Sequence, residues 1–168
     1  MLSYVTDHIP KTTPYNRRPG YSMTPEYITI HSTGNPTSTA RNERAWLTNP
    51  NNNVTASWHI VVDEKEAIEA IPLNEVAWHA GDGGNGTGNR KSIGIEICES
   101  GDRQKTLKNA AELVAKLLKE RGWGVDSCAG IMTGAVKYAL GFSTITASGQ
   151  GGNSLRKLFK RNFPEVIT

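Results

Sequence analysis

Short stretches rich in β-branched and aromatic residues, some alternating between apolar and polar positions, predict four strands. They cover residues 27–31, 57–63, 67–71 and 92–98. In the last stretch Ile93, Ile95 and Ile97 share one face, because successive side chains of a strand point to opposite sides. Glu96 is therefore expected on the other face.

Apolar residues at helical spacing predict a helix over residues 103–121. Basic side chains occupy its last turns, and Gly122 is expected to end it. The stripe expected to face the core consists of Leu107, Ala111, Val114 and Leu118. A shorter helix is predicted over residues 40–47, beginning after Ser38 or Thr39 and ending at Asn49-Pro50.

Proline and glycine mark the segments outside these elements. Several prolines between residues 10 and 25 predict an extended arm or loop, with regular structure starting after it. Residues 78–90 are so rich in glycine that they are predicted to form a long loop, and such loops are often functional.

The composition changes abruptly after Asp126. Residues 127–152 contain six glycines and one charged side chain, Lys137. A helix around residues 131–140 would have an apolar face, but glycine would lower the stability of that helix. Residues 143–152 are predicted to be unstructured, and a short basic amphipathic helix is predicted around residues 155–161.

The composition is that of a single globular domain of 168 residues with 37% hydrophobic residues. No apolar run approaches the ~18 residues of a membrane span, and a net charge of +3 is too small to indicate a nucleic-acid binder. The first residues lack the pattern of a signal peptide, so synthesis in a cytoplasm is expected. Cys98 and Cys128 are then expected to be free thiols.

Two side chains stand out as candidates for chemistry. His31 ends a strand just before a loop, where functional sites are commonly built, although a single histidine is more often an ordinary hydrogen-bonded residue. Glu96 is an acid within an otherwise apolar strand, and a carboxylate in such a position requires either a hydrogen-bonding or charged partner or a functional role. The alternative for Glu96 is the exposed face of an edge strand, which we consider less favourable.

Two other sites are weaker. Cys98 shares a face with Glu96, but no histidine or helix start lies beside it in sequence to activate the thiol, so a buried filler is favoured. The glycines between residues 83 and 88 precede a strand, whereas a phosphate-binding loop precedes a helix. Nucleotide binding is therefore set aside.

Several motifs in fixed order resemble the zinc-dependent N-acetylmuramoyl-L-alanine amidases of phage endolysins and bacillus-type autolysins. They are residues 27–33, Ser57-Trp58-His59, Trp78-His79-Ala80-Gly81-Asp82, Gly88-Asn89-Arg90 and residues 92–98. The resemblance runs from about residue 15 to residue 126. It implies an α/β fold with a central mixed sheet flanked by helices, and cleavage of the amide between N-acetylmuramic acid and L-alanine.

The resemblance also implies roles for individual residues. The family holds one zinc through two histidines and a cysteine, and His31 matches the first of these ligands. Glu96 matches the family's catalytic acid/base, which takes a proton from zinc-bound water and passes it to the leaving amine. Candidates for substrate binding are His59, Trp78, His79 and Asn89, although loop packing explains the last three equally well.

The chain departs from the family after the long helix. No histidine follows His79, so the second histidine ligand, the cysteine ligand and an oxyanion-stabilising lysine are missing from the expected motif. Cys128 could replace a lost ligand, but a buried thiol is favoured. We therefore expect residues 1–126 to form the amidase core and residues 127–168 to be an atypical tail in place of the family's last strand, ligand loop and terminal helix.

The genetic code suggests an origin for this tail. The codons of residues 130–141 can be re-read in a shifted frame, in which each new codon consists of the last base of one codon and the first two bases of the next. This frame permits the sequence His-Tyr-Asp-Trp-Ser-Gly-Lys-Ile-Cys-Pro-Arg. The Asp is forced by Met132 and Thr133, and the family motif appears where it is due. We hypothesise a frameshift near Ser127; wobble bases that cannot spell the motif would refute it.

Three functions follow from these residues. The first is a monomeric zinc amidase that acts on peptidoglycan after release from the cell, with weak or absent zinc and impaired activity in this chain. The second is a non-catalytic peptidoglycan-binding module of the same fold. The third, a cysteine hydrolase using Cys98, is ranked last.

Overall fold

A computed structural model describes residues 1–124 and 127–130 of the chain. Within those residues, six strands form one sheet in the order β1-β4-β3-β5-β2-β6. The strands are β1 (Ser3–Thr6), β2 (Tyr27–Ser32), β3 (Ile60–Val62), β4 (Glu66–Glu69), β5 (Ser92–Ile97) and β6 (Cys128–Gly130). Neighbouring strands are parallel except β3 and β4, so the sheet is mixed.

Helices lie on both sides of this sheet, which confirms the predicted α/β class. The described helices are α1 (Ala40–Trp46), α2 (Thr87–Lys91) and α3 (Arg103–Arg121), together with a 3-10 turn at Pro14–Asn16. None of them is long and apolar enough to cross a membrane.

The long helix α3 covers one face of the sheet. Its apolar stripe packs on alternate residues of the central strands, including Ile28 and Ile30 of β2 and Ile95 of β5. The Asp102 carboxylate accepts a hydrogen bond from the Lys105 amide at the helix start, and Gly122 ends the helix with φ +64°. The predicted boundaries of this helix are confirmed because both ends carry local signals.

The opposite face is partly covered by α1. Ala40 and Leu47 pack with Val61 and Ile68 in a second apolar cluster. Thr39, rather than Ser38, caps the helix and exchanges hydrogen bonds with Asn42.

Three predictions about local structure are corrected. Strand β1 lies in the N-terminal segment, ahead of residue 25, because it pairs with the distant β4. The predicted loop over residues 78–90 contains α2, whose first turn is held by the Asp82 carboxylate, which accepts from the Gly88 and Asn89 amides. Strands β3 and β4 are also shorter than predicted.

The last described strand, β6, pairs with β2 from Ile28–Cys128 to Ile30–Gly130. The helices predicted around residues 131–140 and 155–161 lie outside the described residues. The domain boundary at residue 126 stays a prediction, and Cys98 is a buried free thiol, as expected.

Candidate active site

His31 and Glu96 stand opposite each other on β2 and β5, where they are register partners. Their neighbours in sequence, Ile30, Ile95 and Ile97, pack against α3. Because side chains alternate along a strand, both polar residues face away from α3. The alternation of side chains along a strand, which predicted that Glu96 faces away from the isoleucines of its strand, also places His31 on that face.

The carboxyl group of Glu96 lies in a buried environment that disfavours its ionised form. Its Oε2 atom is buried and has no hydrogen-bond partner among the described residues. Burial, and secondarily the charge of Glu43 on α1, raise the pKa of Glu96 to about 7. A carboxyl with a pKa near neutrality can accept and return a proton, as a general acid/base must.

His79 fixes the orientation of His31. Their Nδ1 (His79) and Nε2 (His31) atoms are 3.0 Å apart, and Nε2 of His79 lies 3.2 Å from the Ser92 carbonyl oxygen. A carbonyl only accepts, so Nε2 of His79 carries the proton and its Nδ1 accepts from His31. The Nδ1 atom of His31 therefore keeps a free lone pair.

Burial keeps both rings neutral. It lowers the pKa of His31 to about 4, and the neighbouring His79 contributes to that shift. Burial also lowers the pKa of His79 to about 3, with a further contribution from His59. Neutral imidazoles are the form that donates a lone pair to a metal.

His59 has a supporting position. Its side chain is fully buried, its Nδ1 accepts from the Gly94 amide at 2.9 Å, and its Nε2 donates to the Glu75 carbonyl at 2.8 Å. Both ring nitrogens are thus engaged by backbone, and burial lowers the pKa of His59 to about 4. The structure does not bring His59 to a surface where substrate could touch it, contrary to its predicted role.

A groove of about 430 Å³ opens beside these residues. Its lining is Asn16, Thr55, Trp78, Gly81, Gly83, Gly84 and Asn89. The indole nitrogen of Trp78 donates to the Asn16 carbonyl at 2.9 Å. Trp78 lines the groove and the next residue, His79, contacts His31, whereas His31 and Glu96 are not themselves among the lining residues.

The polar atoms of the Asn89 side chain are used in hydrogen bonds within the loop that lines the groove. Its Oδ1 accepts from the amides of His79 and Ala80, and its Nδ2 donates to the Gly83 carbonyl. Asn89 thus lines the groove while its polar atoms hold the loop, and its role in substrate binding stays a prediction.

Several groups at the site were missed by sequence reasoning. Gly94 lies under the His79 ring, where a Cβ would overlap that ring. A glycine within a strand signals such a close approach, so this contact was predictable. The positions of Asn16, Tyr21 and Thr55 depend on loop geometry, for which the sequence carried no signal.

The structure disfavours nucleophilic catalysis by Cys98. The side chain is fully buried in the cluster packed around α1. Burial, with smaller contributions from nearby acids, raises the pKa of its thiol well above the usual range. A buried, protonated thiol is a poor nucleophile.

The described donors do not complete a metal site. Within residues 1–124 and 127–130, no group of three or more His, Cys, Asp or Glu side chains is arranged to hold a metal. His31 offers one lone pair, while His59 and His79 use their ring nitrogens in hydrogen bonds. Tetrahedral catalytic zinc needs about three protein ligands, so this part of the chain does not fit the ion.

Comparison with known proteins gives the relatives of this chain. The family model described as N-acetylmuramoyl-L-alanine amidase matches residues 21–138. The chain is 56% identical over 108 residues to the N-acetylmuramoyl-L-alanine amidase CwlA of Bacillus subtilis, and 47% identical over 124 residues to CwlH of the same organism. The matches cover 62% and 71% of this chain but 39% and 48% of those relatives, so it spans less than half of each.

Solved structures show the same architecture. The catalytic domain of XlyA superimposes with a TM-score of 0.71 at 39% identity, covering 99% of this chain and all (100%) of that one. The structure of PlyL gives a TM-score of 0.70 at 30% identity and covers 94% and 97% of the two chains.

Proposed function

The chain belongs to the N-acetylmuramoyl-L-alanine amidase family, and on that premise we propose that it binds peptidoglycan in the groove and directs the His31–Glu96 pair at the amide between N-acetylmuramic acid and L-alanine. The observation that carries this proposal is the pairing of His31 with Glu96 beside a groove. A general acid/base and an imidazole donor then face one position from two adjacent strands.

Glu96 supplies the proton transfers in this proposal. Its carboxylate takes a proton from the attacking water, and the resulting acid returns it to the nitrogen of the leaving L-alanine. A pKa of about 7 allows both steps near neutral pH. His31, neutral and held by His79, presents its Nδ1 lone pair to the same face of the sheet.

Members of this family are zinc-dependent, and the donor set of residues 1–124 and 127–130 does not fit the ion. The described residues provide His31, and no histidine follows His79 in the sequence. We therefore derive no step through zinc. We propose instead that this chain holds little zinc and cleaves the amide slowly.

A second candidate is a non-catalytic peptidoglycan-binding module. It is favoured by one observation, namely that the groove is formed while the described residues lack a three-donor metal group. In either case the substrate lies in the cell wall, so we propose that the chain acts there after synthesis in the cytoplasm and release.

Sedimentation with purified peptidoglycan separates these proposals. The full chain is incubated with insoluble cell wall, and bound protein, newly exposed L-alanine amino groups and zinc per chain are measured. Binding with slow release of amino groups and substoichiometric zinc is expected, and Glu96→Gln should bind without releasing them. Binding without any cleavage would favour the module.

Two further outcomes contradict the proposal. Near-stoichiometric zinc with rapid cleavage would show that the chain is not impaired. Absence of binding would overturn both candidate functions.

A further inference from the structure

An arginine stands at the rim of the groove without a carboxylate partner among the described residues. The guanidinium carbon of Arg90 lies 4.8 Å from the ring centroid of Tyr21 and 5.8 Å from that of Trp78. Its Nε donates to the Gly84 carbonyl at 2.5 Å. Two aromatic rings and one hydrogen bond therefore hold the charge beside Trp78 and Gly84, which both line the groove.

Three other arginines of the described residues are paired with carboxylates, whereas Arg17 and Arg103 donate to backbone carbonyl oxygens. Arg18, Arg41 and Arg44 form ion pairs with Glu75, Glu66 and Asp7, respectively. Arg90, by contrast, makes no ion pair within residues 1–124 and 127–130, and its two terminal nitrogens keep their donors available. A planar guanidinium with free donors is suited to binding a carboxylate through paired hydrogen bonds.

The rest of the groove suits an acidic ligand. Its lining residues are neutral, so none of them repels a negative charge. The carboxylate of Asp82, in the same loop, accepts hydrogen bonds from the amides of Gly88 and Asn89. Tyr21 is exposed, and its ring and that of Trp78 meet edge to face at 6.4 Å, which leaves aromatic surface for a peptide.

We propose that Arg90 binds a carboxylate in the peptide portion of peptidoglycan and so makes the groove select acidic stem peptides over amidated ones. This inference rests on the proposed function, because it assumes that the groove takes the peptide. The rigid hold on the guanidinium reduces the entropy lost when the carboxylate binds.

The test compares two probes, N-acetylmuramoyl-L-alanyl-D-glutamate and the same compound with both carboxyls amidated. Affinities are measured by calorimetry on the full chain carrying Glu96→Gln, so that the probes are not consumed. The acid is expected to bind about ten-fold more tightly than the diamide, as a charge-assisted hydrogen bond predicts. Arg90→Gln should reduce the ratio of the two affinities to about one.

Two further variants complete the test. Arg90→Lys keeps the charge but loses the planar pair of donors, so an intermediate preference is expected. Lys119→Gln removes an equal charge from an exposed position on α3, and should keep the full preference.

Each remaining outcome is decisive. Equal binding of the acid and the diamide by the parent, or an undiminished preference in Arg90→Gln, overturns the role of Arg90 while leaving the proposed function intact. Binding of neither probe overturns the proposed function and this inference together.

Discussion

His31 and Glu96 are register partners on adjacent parallel strands, and both face away from α3. Backbone hydrogen bonds of the sheet set their relative position, so the pair does not depend on a mobile loop. Rigid elements hold functional groups more accurately than loops do. Substitutions at and around these two residues are therefore expected to have effects that can be assigned to the pair.

Replacing Glu96 by Gln is expected to lower amide cleavage by about 10²–10⁴-fold, the usual contribution of a general acid or base. It should also change the pH dependence of stability. Because the folded-state pKa is raised to about 7, the stabilising contribution of Glu96 is present in acid and lost as the pH rises through that value. The unfolding free energy of the variant relative to the parent should therefore increase from about pH 5 to about pH 8.

Urea unfolding followed by tryptophan fluorescence at the two pH values measures this difference. Glu43→Gln is the matched control, since it removes the smaller cause of the shift and should lower the pKa of Glu96 while retaining its carboxyl. A difference between variant and parent that does not change with pH would contradict the assignment.

Gly94→Ala is expected to destabilise the fold by about 1–3 kcal/mol, as overpacking usually does. The added methyl overlaps the His79 ring and should displace it from His31, which lowers cleavage further. Thermal melting and amino-group release measure the two effects. Gly124→Ala, where a Cβ meets nothing within 4 Å, should change neither, and equal behaviour of the two variants would refute the contact.

Arg17→Ala is expected to cost about 3 kcal/mol or more of unfolding free energy. The side chain is fully buried and donates to the carbonyls of Leu47, Asn49, Asn52 and Val54, all of which lose their partner. Arg41→Ala removes the exposed partner of the ion pair with Glu66 and should cost about 1 kcal/mol or less. Chemical denaturation measures both; similar losses would show that Arg17 is not the stronger anchor.

Restoring the alternative reading frame after Asp126 is expected to give a chain that binds about one zinc and cleaves peptidoglycan rapidly. The chain as written should stay well below one zinc under the same conditions. Metal analysis and amino-group release compare the two proteins. If the restored chain binds no more zinc than the chain as written, the frameshift hypothesis is contradicted.

Local signals explain what could be predicted from the sequence. The C-terminal end of α3 is marked by Gly122, and Thr39 marks the start of α1. Alternation within β5 placed Glu96 opposite the isoleucines that pack on α3. These features depend on neighbours in sequence, which is why they are visible without a structure.

Features that depend on distant contacts were not predictable. Strand β1 is defined by its pairing with β4, about sixty residues further on. The sequence does not distinguish His59 from the other histidines, but its ring is enclosed by the backbone of Gly94 and Glu75. The two rings around Arg90 come from separate segments, and sequence gives no measure of that distance.

The pairing of β6 with β2 has a consequence for the origin of the tail. Gly130 is the register partner of Ile30, the residue that precedes His31 on β2. In the restored frame the permitted histidine falls at position 131. Strand pairing uses backbone atoms that every residue shares, so a change of reading frame near residue 127 can replace the side chains of β6 while keeping the backbone groups through which β6 pairs with β2.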